Sequence, residues 1–364
     1  MKSALFLLSL FLSLFVSAQN VPNPDSKIKY DKALSEYQAE RKNGTTKKLI
    51  PYAKALYEAS LEYLEDDDIG RAVLAQNYAA ALNLARPNED SIPLLKYAIE
   101  SYRDTKEPQT ENLINALFDL GKVYNTIPKY RKKVRRNFLN ALELAEERND
   151  KVLLARTQLK IGVNYISSWR LTKKQLREAM RLITAAQGYF KSISDEREVV
   201  AAFWLGKANM INRNQEKAIE HFSSVLDKPR DSKRIHKLAM SSHAFLVDAY
   251  SKNDQPEKAT EHCRAIGKVT PWSNDKEIEP IYILQPRYPR TAARSGAEGW
   301  VKTKFTIDSD GFAKDIEVVD SEGHSSFSKA ALKVLPKWRF APKYENGEPV
   351  EGLAYYTLYF KMGK

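Results

Sequence analysis

Cysteine is almost missing from this chain: its 364 residues include one, Cys263, so no internal disulfide can hold it together and folding must rest on buried apolar surface. Glycine and proline, at 14 and 16, are too few for a collagen-like or proline-rich rod. No CxxC, HExxH, Walker, dinucleotide-fingerprint or G-x-S-x-G segment occurs, which leaves an enzymatic reading without a motif. No apolar run reaches the roughly 20 residues of a membrane helix. With 43% hydrophobic and 29% charged residues, the composition is that of a globular protein of two or three domains.

Positive charge is present in excess. The net charge is +12 and the pI about 9.4, but from Lys276 onward 14 basic residues face 12 acidic ones, so +10 lies in the first three quarters. The N-terminus reads as an export signal: Lys2, an apolar stretch from Ala4 to Val16, then Val16-Ser17-Ala18 before Gln19. At ~1.5 Å per residue that stretch spans about 20 Å, short of a ~30 Å hydrocarbon core. We therefore expect residues 1–18 to be a cleaved signal peptide, residues 19–25 to be a disordered start, and the mature protein to be periplasmic. The alternative is an uncleaved inner-membrane anchor. An exported protein rarely meets nucleic acid, so the expected partners of the basic charge are anionic envelope polymers, peptidoglycan, lipid headgroups or acidic proteins.

From residue 26 to 270, Ala, Leu and Tyr recur at spacings of three and four, the signature of helices. Gly206, Asn209, Ala218 and Phe222 are matched by Val247, Tyr250, Ala259 and Cys263 at the same offsets, and weaker copies begin at Gly121 and Gly162. This resembles a degenerate tetratricopeptide repeat, with steps of 41, 44 and 41 residues in place of 34. The resemblance implies five or six helical hairpins stacked as a solenoid with a concave binding face. Chemistry here has little support. His262 adjoins Cys263, but the repeat puts a packing residue at position 263, and a buried thiol behaves as a small hydrophobe. No metal site and no cofactor are expected. A periplasmic enzyme using Cys263 and His262 is the least favoured alternative.

After Thr270-Pro271-Trp272 the pattern changes. Gly299 to Ile307 alternates, with Val301, Thr303, Phe305 and Ile307 on one face. Asp308-Ser309-Asp310-Gly311 signals a hairpin, and a second strand is expected from Phe312 to Val319. Ser326 to Leu335 reads as a helix, Asn346-Gly347 as a turn, and Leu353 to Met362 as a strand. The order is β-β-α-β.

Gln285-Pro286-Arg287-Tyr288-Pro289, Glu298-Gly299-Trp300-Val301, Asp310-Gly311 and Trp338-Arg339-Phe340-Ala341-Pro342, in that order, resemble the C-terminal domain of TonB-family energy transducers. The match covers residues 276–364. The fold expected is therefore an α+β multidomain chain: a TPR-like all-α solenoid over 26–270, a linker over 271–279 and a TonB-like β-β-α-β domain over 280–364.

The resemblance implies that an extended segment of an outer-membrane receptor pairs with the last strand, beside the Gln-Pro-x-Tyr-Pro region. Carried over by position, the partner-binding residues are Gln285, Pro286, Tyr288, Pro289, Tyr355, Tyr356, Thr357, Leu358, Tyr359 and Phe360. Gly299, Gly311, Trp338, Phe340 and Pro342 are expected to determine the fold. The chain departs from the family in having a helical solenoid where the proline-rich linker stands, and in a hydrophobic N-terminus that is expected to be cleaved rather than kept as the family's anchoring helix. The expected function is accordingly a periplasmic adaptor, non-enzymatic, that grips a receptor or other envelope protein by strand addition and uses its repeats for a second partner. The alternative is an energy transducer anchored by residues 1–18. An exposed last strand also invites homodimerisation.

Overall fold

The computed structural model describes residues 23–43, 48–84, 86–105, 110–168, 170–229, 232–272 and 277–362. The expected signal peptide lies outside them, as do four residues of the expected linker, 273–276. The chain divides into two compact units, 1–190 and 191–364.

The first unit is built of α1 (Pro24–Asn43), α2 (Leu49–Tyr63), α3 (Ile69–Leu82), α4 (Ser91–Asp104), α5 (Thr110–Thr126), α6 (Arg131–Glu147), α7 (Lys151–Ile166) and α8 (Lys173–Ser192), whose last two residues enter the second unit. Pro24 and Asp25, expected before any element, form the first turn of α1. The second unit opens with α9 (Arg197–Ile211), α10 (Gln215–Leu226), α11 (Lys233–Lys252) and α12 (Pro256–Gly267). Together these helices make six consecutive hairpins. Side-chain caps fix several starts: Asp150 accepts from Leu153 N–H, Asn214 from Lys217 N–H and Ser232 from Ile235 N–H.

The glycines that set the repeat spacing explain how the hairpins close. A Cβ on Gly121 would overlap the ring of Phe138, one on Gly162 would overlap Ile183, and one on Gly206 would overlap Phe222. Each hairpin thus inserts a large side chain of its second helix where the first has none. In α11–α12 the arrangement reverses: Val247 supplies the bulk and Cys263 is the small partner, both fully buried. The long repeat period goes into helix length, since α5 to α8 run 16 to 20 residues each.

The rest of the second unit is an α+β module: α13 (Arg290–Arg294), β1 (Gly299–Ile307), β2 (Ala313–Glu322), α14 (Ser326–Val334), β3 (Lys343–Glu345), β4 (Glu348–Val350) and β5 (Gly352–Phe360). β1 lies between β2 and β5, antiparallel to both. Val301, Thr303, Phe305 and Ile307 are buried as their alternation requires, and Phe327, Ala331 and Leu335 pack from the helical side. The β-β-α-β order therefore holds, with a small β3–β4 hairpin added before the last strand. Its two-residue turn is Asn346-Gly347, both at positive φ (52° and 86°). β2 begins one residue later than expected because Phe312 N–H belongs to the preceding turn, donating to Asp308 Oδ1. It ends three residues later because Asp320 to Glu322 continue to pair with Trp300 to Lys302.

The described ends of the expected linker are occupied in packing. A Cβ on Gly352 would collide with the Trp272 ring, and Ile278 lies against the sheet core. Farther along, Ile281 and Tyr282 cover the buried Val247, Ala259 and Cys263 of the last hairpin. Gly267, ending α12, stands so close to Pro342 O that a Cβ would approach it to 2.5 Å. The helical and sheet parts of this unit share their packing.

Candidate protein-docking edge

β5 pairs with β1 from Gly299↔Phe360 to Ile307↔Gly352 and, among the described residues, with no other strand. Its second edge therefore has no strand partner, and a strand edge carries a row of backbone donors and acceptors. Side chains alternate across the sheet. Ala354, Leu358 and Phe360 are buried and Tyr356 is half-buried, so these positions meet a newcomer chiefly through backbone. Leu353 and Tyr359 stand 48% and 66% exposed on the other face, with Tyr355 and Thr357 half-buried between them.

The Gln-Pro-x-Tyr-Pro segment is tied to this strand. Tyr288 donates its hydroxyl proton to Ala297 O and meets Phe327 and Phe360 edge-on, with centroids 5.6 and 6.1 Å away. Trp338 Nε1–H donates to Leu284 O at 2.9 Å, and its ring meets Tyr356 edge-on at 5.2 Å. Tyr288 therefore anchors the segment, Pro289 precedes the first turn of α13, and Gln285 stays exposed with Pro286 half-buried. The segment is thus joined to β5 directly through Tyr288 and Phe360, and through Trp338 between Leu284 O and Tyr356. Gly299, Gly311 and Phe340 sit at close backbone approaches: a Cβ on Gly299 would collide with Glu322 O and one on Gly311 with Phe340 O.

Acidic side chains that sequence reasoning passed over stand beside the strand. Thr357 Oγ1 donates to Glu277 Oε1 at 2.5 Å. Burial raises the Tyr356 hydroxyl pKa above its ordinary value, and the nearby Glu279 and Glu277 carboxylates push it the same way. Both glutamates fall in the segment expected to be a linker, where nothing in the pattern of residues marks them as neighbours of a strand 80 positions on.

Arg339 lies inside the Trp338-to-Pro342 motif. It is 2% exposed. Its guanidinium lies over the Phe312 ring, 3.8 Å from the centroid, and donates to Thr260 Oγ1 at 2.6 Å, to Asp310 O at 2.8 Å and to Pro256 O at 3.3 Å. Beside it Arg264 pairs with Asp310 at 2.6 Å.

Burial raises the Cys263 thiol to about 11, more than the neighbouring Arg339 lowers it, so it carries almost no thiolate at neutral pH. His262 faces His243, Nδ1 to Nδ1 at 3.0 Å, and burial lowers it to about 4. Among the described residues no three His, Cys, Asp or Glu side chains are grouped to hold a metal.

Residues 284–362 match the family model described as Gram-negative bacterial TonB protein C-terminal. This part of the chain is a TonB C-terminal domain. Protein TonB of Pseudomonas aeruginosa is 40% identical over 91 residues, which make up 25% of this chain and 27% of that protein. The solution structure of the P. aeruginosa TonB C-terminal domain shares that 40% identity, with 25% of this chain and 92% of that one covered at a TM-score of 0.22. The apo form of RapI is similar over 66% of this chain and 74% of its own, at 16% identity and a TM-score of 0.48. The chain spans between 27% and 45% of the length of the curated TonB relatives it matches. Among the described residues no helix is long and apolar enough to cross a membrane.

Proposed function

We propose that the TonB domain takes up an extended segment of an outer-membrane receptor or other envelope protein along the edge of β5 that has no strand partner among the described residues, as an added strand, in an exported adaptor whose helical hairpins serve a second partner. The observation that carries this reading is that, among the described residues, β5 has a strand neighbour on one side only. Backbone pairing along that edge supplies affinity, and the exposed Leu353 and Tyr359 supply selectivity for apolar side chains on alternate positions of the incoming segment.

The test uses the full mature chain, isotopically labelled, titrated with receptor-plug peptides at low and moderate salt. Shifts concentrated in β5 and around Gln285 are expected. Absence of binding at high micromolar peptide, or shifts confined to the helices, overturns the reading. The same edge permits self-pairing, which would appear as a dimer that the peptide dissociates. N-terminal sequencing of the mature protein separates the adaptor, which starts at Gln19, from a transducer that keeps residues 1–18.

A further inference from the structure

The charge excess is concentrated in one place. Residues 127–181 hold 15 Lys and Arg against 5 Asp and Glu, a net +10 of the chain's +12. The fold gathers much of that excess on two neighbouring helices. The first turns of α6 present Arg131, Lys132, Lys133, Arg135 and Arg136, and those of α8 present Lys173, Lys174, Arg177 and Arg181, all exposed. Arg135 Nε lies 3.9 Å from Glu178 Oε2 of α8, and Arg131 donates to Arg170 O just before it, so the two clusters adjoin. Among the described residues, Arg135 is the one cation of these nine within 4 Å of a carboxylate.

Like charges held this close repel one another, and a fold keeps them together at a cost that an anionic partner offsets. The surroundings narrow which partner. Nucleic acid bound without sequence preference uses exposed rings on which bases stack. Here Tyr124 and Phe138 are buried, and Tyr130 is half-buried with Lys129 and Lys133 5.0 and 5.6 Å from its centroid. A folded protein partner needs an apolar centre to its interface. Among the described residues, the one large hydrophobic exposed in this stretch is Val152, beyond the opposite end of α6. Among the described residues this two-helix face carries long cationic side chains and has no apolar centre, which fits a lattice of phosphate headgroups, as polybasic helices do.

We propose that the face formed by the first turns of α6 and α8 docks this protein on a bilayer surface rich in anionic phospholipid. The test is co-sedimentation of the full chain with vesicles of equal phosphatidylglycerol and phosphatidylcholine, against phosphatidylcholine alone. Binding to the anionic vesicles only is expected, with release as salt is raised. At about 1 kcal/mol, or fivefold, per cation near such a surface, replacing Lys132, Arg136, Lys174 and Arg177 by Gln should weaken partitioning by at least about a hundredfold. The pair Lys132→Gln and Lys174→Gln should weaken it about 25-fold, a second reading should the fourfold variant fail to fold by circular dichroism. Replacing Lys32, Lys42, Lys96 and Arg103, exposed elsewhere, should cost no more than about threefold. Equal loss in this control, or no preference for phosphatidylglycerol, overturns the proposal. So does tighter binding to duplex DNA or polyglutamate that vanishes in the same patch variant, which would assign the face to a soluble polyanion.

Discussion

Arg339 reaches Thr260, 79 residues earlier in the chain, with a 2.6 Å hydrogen bond that joins the TonB domain to α12. Arg339→Ala removes three donated bonds and leaves the Asp310 and Pro256 carbonyls without this donor. A loss of about 3 kcal/mol in urea unfolding is expected. Arg339→Lys should recover less than half, because an ammonium cannot reproduce the planar fork. Arg264→Ala breaks a half-exposed pair with Asp310 and should cost below about 0.5 kcal/mol.

Two glycine substitutions should move stability in opposite directions. Gly206→Ala drives a methyl into the Phe222 ring and should lower stability by about 1–3 kcal/mol. Gly188, within α8, has nothing within 4 Å of its would-be Cβ, so Gly188→Ala should raise stability by about 0.5–1 kcal/mol through helix propensity. Thermal melting of the two variants checks both signs.

Asp308 provides an acid-range test. Burial pushes its carboxyl up, but N–H bonds from Phe312 and Asp310 and the Lys314 ammonium more than offset it, so the folded pKa lies below the ordinary 3.8. The unfolded chain then takes up this proton more readily than the folded one. The stabilisation is full above about pH 5 and is lost as pH falls through the folded value. The difference in urea midpoint between the native chain and Asp308→Asn should therefore be constant near neutrality and shrink toward pH 3. A difference that grows on acidification would contradict the assignment.

On the edge strand, Leu353→Ala and Tyr359→Ala truncate exposed side chains. Each should leave the melting temperature within a degree or two while weakening peptide binding about three- to tenfold, read by calorimetry. Phe360→Ala, by contrast, opens the core beneath Phe327 (centroids 4.4 Å apart) and should cost about 3–5 kcal/mol.

Cys263 should resist thiol reagents. At pH 8 a thiol with a pKa about 11 is roughly 0.1% thiolate, and this one is also fully buried. Labelling by a disulfide reagent should wait on denaturant; fast labelling of the native protein would refute the packing.

Features set by local pattern were readable from the residues. The alternation of Val301, Thr303, Phe305 and Ile307 gave the buried face of β1, and Asn346-Gly347 gave a turn. Gly121, Gly162 and Gly206 marked the hairpins because close helix approach leaves no room for a Cβ there. Features that depend on distant pairing were not readable. Arg339 inside Trp-Arg-Phe looks like a surface residue interrupting a core motif until Thr260 and Pro256 arrive from another element. Trp272 and Ile278 look like linker residues until Gly352 and the sheet core come beside them. β3 and β4, three residues each, are too short to carry an alternation of their own.

The bonds from Arg339 into α12 also bear on how this protein can be cut into pieces. A fragment starting near residue 280, where the sequence pattern puts the start of the TonB-like domain, would keep the arginine but discard Thr260, Pro256 and the helix that shelters it. The smallest tail piece expected to stand by itself begins upstream of α9, and a shorter one would bring a bare cation and the uncovered rings of Tyr282 and Phe312 into water.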